Sequence, residues 1–401
     1  METAASVSLR TVSESEYVSF LIGHAVDNNF SVAVWRYPND DKKHLIISRQ
    51  HQLLNPEVTL EDLPTGFIVA PFDRSGDRIF LKADLRFSFS DNTLDTPKHP
   101  EETSSATWLH TQLKNIGAHS PKYYTSSYSP RDTREKDFLA IVQDGIAQIE
   151  QGILEKIVPS RTARVPIPTG FNIVQTFQKL SAGNPNALIS FVSTPEGGSW
   201  LGATPELLVS VEDKTLFKTI ALAGTQPYHE GINLKAVAWT QKDIEEQALV
   251  ERYIISCFKK IRLREYDEHG PRTTVAGNLL HLKSEFKVDM HATNFPQLGS
   301  VMLRLLHPTS AVCGVPLEPS LEFLKNREGH QRQFYSGYLG PVNFNNDIRI
   351  FVNLRCAQLQ EQYAVLYAGA GVTIDSVPEQ EWAETEMKMK TLRDALDATV
   401  K

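Results

Sequence analysis

A chain of 401 residues with 41% hydrophobic content can bury a large core, and at roughly 150 residues per domain it has room for two or three domains. The net charge of -7 comes from interspersed acids and bases with no long run of either sign, which argues against a nucleic-acid surface and for a small-molecule partner. Three widely spaced cysteines without a CxxC pair argue against a disulfide framework or zinc site, and no stretch approaches the roughly 20 apolar residues that span a bilayer.

The N-terminus (METAASVSLRTVSESEY) lacks the basic start and apolar run of a secretory signal, so a soluble, cytoplasmic protein without membrane partners is expected. Residues 1–130 alternate short apolar runs (HLIISRQ, DRIFLKADLRFSFS) with polar breaks. The stretch from Asp91 to Arg134 is rich in Ser, Thr, Pro and His, a loop-like composition with one possible helix in TSSATWLHTQL. We take 1–130 as a variable N-terminal portion and 131–401 as the more structured remainder.

That remainder opens with a helix in which Phe138, Val142, Ile146, Ile149 and Ile153 recur at helical spacing. Strand-like segments follow: KIVPSRTARV, NALISFVS, SWLGATPELLVSV, TLFKTIALAG, DIRIFVNLRCAQL and QYAVLYAGAGVTI. Longer helices are expected over roughly 239–262 and 379–396. The mixture predicts an α+β protein: a large, sheet-rich, layered core with helices outside.

Some residues break these patterns. Val250, Ile254, Cys257 and Ile261 form an apolar stripe, and one turn back from Val250 stands Glu246. Near a helix start an acid can simply meet water and favour the dipole. In the last helix, Leu396 and Leu392 step back to Lys388 and Glu384, with Glu381 one further turn away. Glu384 and Lys388 could be an ordinary i, i+4 surface pair. Two helices that each lead a carboxylate in on an apolar stripe also suit a magnesium site, because buried acids are costly unless paired or bound to a cation.

In IRIFVNLRCAQL, alternation puts Asn353 and Arg355 opposite Ile350, Val352, Leu354 and Cys356. Arg355 is either a carboxylate anchor or a solvated strand residue. Gly369 and Gly371 in AGAGV offer bare backbone to a ligand, or mark a bulge or tight strand crossing. Lys156 and Glu206, each near a strand end, could be solvated, or could serve as base and acid on opposite sides of a substrate.

KIVPSR, LGATPELL, LAGT, KDIEEQALV, LLHLKSEF, LHPTSAVCGVP, QFYSGYLG, VNLRCAQL, YAGAGV and EWAETEMKMK stand in the order found in chorismate-utilising enzymes, and the chain resembles that family from about Phe138 to Leu396. The family includes anthranilate, aminodeoxychorismate, salicylate and isochorismate synthases. The resemblance implies the chorismate-binding enzyme fold, with 131–401 as its catalytic domain, and chorismate as the substrate. It implies Mg2+ as cofactor, with Glu246 and Glu384 as its ligands, gripping the ring carboxylate. Arg355 and the backbone of Gly369 match the site of the pyruvyl carboxylate, and Lys388 matches a lysine near the metal and carboxylates. Thr225, His281, Ala311, Val312 and Tyr335 match positions around the substrate. Glu206 matches the acid that protonates the departing C4 hydroxyl.

Lysine at 156 is what the resemblance associates with members that add water to C2, where it acts as general base. Ala223 stands before Gly-Thr, where aminodeoxychorismate synthases often carry a nucleophilic lysine. Both positions imply isochorismate synthase, serving menaquinone or a catechol siderophore, as a monomer with no glutaminase subunit. The alternatives are salicylate synthase and a chorismate-binding protein without catalysis. The chain departs from the family at Gln247, where histidine is usual, and at Pro159, where an aliphatic residue is usual. Glu245 could compete with Glu246 as a ligand, and the LLES motif of feedback-regulated members is not evident.

Overall fold

The computed structural model describes residues 12–90, 93–95, 100–112, 116, 121–276 and 279–397. Two nine-stranded sheets, in which every neighbouring pair is antiparallel, form its centre. The first runs, edge to edge, β7 (Thr93–Leu94), β6 (Leu85–Ser90), β2 (Lys43–Ser48), β1 (Ser31–Arg36), β10 (Leu188–Thr194), β11 (Gly198–Thr204), β19 (Cys356–Leu359), β20 (Tyr363–Gly369) and β9 (Ser160–Pro166). The second runs β14 (Asp267–Ala276), β15 (Leu279–Asp289), β13 (Leu216–Pro227), β12 (Leu207–Glu212), β18 (Ile348–Val352), β17 (Tyr338–Val342), β4 (Gly66–Ala70), β5 (Arg78–Lys82) and β3 (Gln52–Leu54). A short ribbon pairs β8 (Lys156–Ile157) with β16 (Gly314–Val315).

Strand alternation explains how the layers stack. Ala33 and Trp35 of β1 face Phe67 and Val69 of β4 across the gap between the sheets. Val32 and Val34 point outward, beneath α1 (Glu14–Asp27), α4 (Ile173–Gly183) and α8 (Pro378–Asp397). Ile68 and Ala70 point outward from the second sheet, beneath α5 (Gln241–Lys260) and α6 (Leu298–Leu306). The order is therefore helices, sheet, sheet, helices, as expected for a sheet-rich core with helices outside. The remaining helices are α2 (Pro100–Gln112), α3 (Glu135–Glu150) and α7 (Leu317–Arg327). Residues on either side of position 130 share both sheets, since β1 pairs with β10 and β4 with β17.

Three local readings change. The helix expected to reach Ile153 ends at Glu150; Gly152 takes φ 71° just beyond it, and Ile153 is 47% exposed. SWLGATPELLVSV is two strands, because the chain leaves the first sheet after Thr204 and enters the second at Leu207. DIRIFVNLRCAQL makes the reverse crossing between Val352 and Cys356. Arg355 lies in that crossing with φ 46° and is buried, so it is not a wet-face strand residue.

Candidate active site

Glu206 and Arg355, one at each crossing between sheets, open into the same cleft. The cleft is lined by Glu206, Thr225, Glu246, His281, Tyr335, Arg355 and Lys388, with Ala311, Val312 and Gly369 among the wall residues, and of the expected site residues only Lys156 and Glu384 are not in its wall. Lys156 lies beneath Glu246, and Glu384 is tied to Lys388. The sequence reading missed the apolar walls Val158, Leu222, Leu354 and Tyr367, which carry no distinguishing pattern.

Glu246 comes from the second turn of α5, whose start is fixed by a capping box between Thr240 and Asp243. Its Oε1 accepts a 2.7 Å hydrogen bond from Lys156 Nζ, and the lysine is fully buried. Burial pulls the Glu246 carboxyl upward, but Lys156, Lys242 and Lys388 together outweigh it and hold the group below its usual range. Gly371 is explained by this contact: a Cβ there would lie 2.3 Å from Glu246 Oε1. At Gly369 a Cβ would meet the Pro159 carbonyl and the Tyr335 hydroxyl, a tight crossing.

From α8, Glu384 pairs with Lys388 at 2.6 Å, and Lys388 Nζ also donates to the Gly369 carbonyl at 2.9 Å. Glu381, on the same helix face, is buried and pairs with Lys242, which stands one turn before Glu246 on α5. The sequence reading missed Lys242, which no motif or apolar stripe marked. Burial lowers the Lys242 pKa, yet Glu381, Glu384 and Glu246 together leave it raised. Of these three carboxylates, among the described residues only Glu381 ion-pairs with the ammonium, and the other two act on it through their charge. Glu245 faces away, exposed, and accepts from Gln241. Gln247 is buried and donates to Glu251 Oε1 at 3.0 Å.

On the other wall, His281 Nδ1 lies 2.6 Å from the Gly224 carbonyl, which can only accept. Burial and the Arg355 charge push His281 down to about 3, so the ring is neutral and Nε2 keeps its lone pair. That lone pair faces Arg355 Nη2 at 3.3 Å. Arg355 is buried, pushed down by burial to about 10, and has no carboxylate within ion-pair distance among the described residues. A buried guanidinium held by a neutral histidine is a seat for an incoming carboxylate.

Glu206 is 6% exposed, and its carboxyl is pushed up to about 7 by burial, against the charges of Lys156, Lys388 and Arg355. It can therefore carry a proton near neutral pH.

Among the described residues no group of three or more His, Cys, Asp or Glu forms a metal cage on its own. Glu246, Glu384 and Glu381 all act electrostatically on Lys242, and carboxylate oxygens of this kind are the donors that a hard divalent cation takes.

A family model described as chorismate binding enzyme matches residues 73–397. Isochorismate synthase DhbC of Bacillus subtilis (strain 168) is 31% identical over 273 residues, 65% of this chain and 68% of that protein. Isochorismate synthase EntC of Escherichia coli (strain K12) is 29% identical over 245 residues, 60% of this chain and 61% of that one. The structure of MenF, the menaquinone-specific isochorismate synthase from Escherichia coli, superimposes with a TM-score of 0.71 at 19% identity, covering 94% of this chain and 91% of that one.

Proposed function

The chain belongs to the chorismate-binding enzymes, and within that family we propose that it is an isochorismate synthase, a magnesium-dependent isomerase that adds water to C2 of chorismate as the C4 hydroxyl departs. The observation that carries this reading is a buried carboxyl, Glu206, whose pKa lies near neutrality, in a cleft that also holds an unpaired guanidinium, with the fully buried Lys156 behind the cleft residue Glu246.

The substrate carries two carboxylates on a small ring. Arg355 and the Gly369 backbone suit the pyruvyl carboxylate. The ring carboxylate belongs at the opposite end, near Glu246, Glu384 and Lys388, where Mg2+ held by those two glutamates would neutralise it and orient the ring. Lys156 is the base that takes the proton from the attacking water as the C2–O bond forms. Both ring double bonds shift by one position, the C4–O bond breaks, and Glu206 gives its proton to the leaving hydroxyl, which departs as water. Water enters and water leaves, so the net reaction is an isomerisation. Each such proton transfer typically contributes about 10²–10⁴-fold.

Nothing in this scheme needs ammonia, so no glutaminase partner is expected. Ala223 lines the cleft at the point where a nucleophilic lysine would divert the chemistry, and it supports the same reading. Incubation with chorismate and Mg2+, without glutamine or ammonium, followed by chromatography, tests the proposal. Isochorismate without pyruvate is the expected result. Stoichiometric pyruvate would assign salicylate synthase instead, and unchanged chorismate at every Mg2+ concentration would reject catalysis.

A further inference from the structure

The loop from His307 to Val312 lines the catalytic cleft at one end and a second cavity at the other. This second cavity, of about 360 Å³, lies between β5, β17 and α6, and three arginines line it: Arg74, Arg78 and Arg304. Arg78 is only 5% exposed. Its Nη1 donates to the carbonyls of Arg74 and Gly76, its Nε donates to the Tyr338 hydroxyl at 3.2 Å, and no carboxylate ion-pairs with it among the described residues. Arg304 reaches only Glu57, at 3.5 Å and 79% exposed, while its Nη1 is buried without a partner. Arg74 pairs with Glu318, and both are exposed.

The acids nearby are engaged elsewhere. Asp73 accepts from the Ser75 backbone and hydroxyl, and Glu61 from Ser300. A buried guanidinium without a counter-ion is costly, and an exposed acid offsets little of that cost. The neighbouring His307 is pushed down to about 3, chiefly by burial and then by the charges of Arg78 and Arg74. It adds no competing positive charge.

We infer that this cavity binds a small oxyanion, phosphate or carboxylate, gripped by Arg78 and Arg304 and capped at its mouth by Arg74. Planar guanidinium forks match both kinds of anion, and the Tyr338 hydroxyl, which accepts from Arg78, keeps its own proton to donate.

Calorimetric titration of the full chain with inorganic phosphate, and separately with succinate, at constant ionic strength tests the inference. The wild-type chain and Arg355→Gln, which removes the unpaired guanidinium of the catalytic cleft, should bind one of the two anions saturably and equally well. The anion that binds identifies the source. Arg304→Gln alters a partly exposed helix residue and should weaken that binding at least tenfold; Arg74→Gln, at the rim, should weaken it less. Absence of saturable binding of both anions to wild type would overturn the inference. So would unchanged affinity in Arg304→Gln, or loss of binding in Arg355→Gln.

Discussion

Glu206 takes its acidity from where the chain changes sheets, between Thr204 and Leu207, which buries its carboxyl among three cations and still leaves burial dominant. An acid that must be protonated to act, with a pKa of about 7, predicts that kcat/KM falls as pH rises through about 7. Glu206→Gln should lower kcat by about 10²–10⁴-fold and abolish that limb of the profile. Stability follows the same group. Its folded pKa lies above the ordinary 4.5, so its contribution is complete below about 4.5 and is lost as pH rises through about 7. Above that pH the folded protein must ionise a buried group, and Glu206→Gln should melt higher than wild type at pH 8, by on the order of 2–3 kcal/mol. An unchanged melting temperature would mean that Glu206 is solvated. Lys156→Ala removes the Lys156 hydrogen bond to Glu246 and should cost a comparable factor in kcat; full activity in that variant would remove Lys156 from the chemistry.

At the scale of elements, α5 and α8 carry the carboxylates to the cleft, and both were legible. Their apolar stripes placed helices at roughly 239–262 and 379–396, within a few residues of Gln241–Lys260 and Pro378–Asp397. The stripe of α8 also led to Glu381, which is indeed buried, although only the fold shows its pairing with Lys242. Strand alternation was less informative. It carried one strand through Pro205 and another through Arg355, because apolar residues persist on both sides of each crossing when both faces of both sheets are covered. Alternation reports burial and cannot register a change of sheet. Two variants test the element-level account. Thr240→Ala deletes the α5 cap and should cost about 1 kcal/mol in denaturant melts. Gly371→Ala places a methyl against the movable Glu246 carboxylate, so its stability should stay near wild type while activity at limiting Mg2+ falls at least tenfold. Equal activity in Gly371→Ala would show that the position of Glu246 does not matter.

Across the whole molecule, the two-sheet stack brings together residues as distant in sequence as Lys156, His281 and Lys388. Those juxtapositions depend on pairings such as β11 with β19 and β13 with β15, which no local spacing encodes. The family resemblance supplied what periodicity lacked, because ten ordered motifs imply a common arrangement even when each motif alone is ambiguous. The N-terminal strands were visible as apolar runs, but their places in both sheets were not, since β1 and β4, which join them to the rest, pair with residues a hundred or more positions away. Among the described residues no helix is long and apolar enough to cross a membrane, in keeping with the absence of a long apolar run. The central claim is that the cleft adds solvent water to chorismate rather than moving the substrate's own hydroxyl. The most direct measurement is mass spectrometry of the product formed with Mg2+ in ¹⁸O-labelled water. One ¹⁸O atom in the C2 hydroxyl of isochorismate is the predicted result, and unlabelled isochorismate would contradict it.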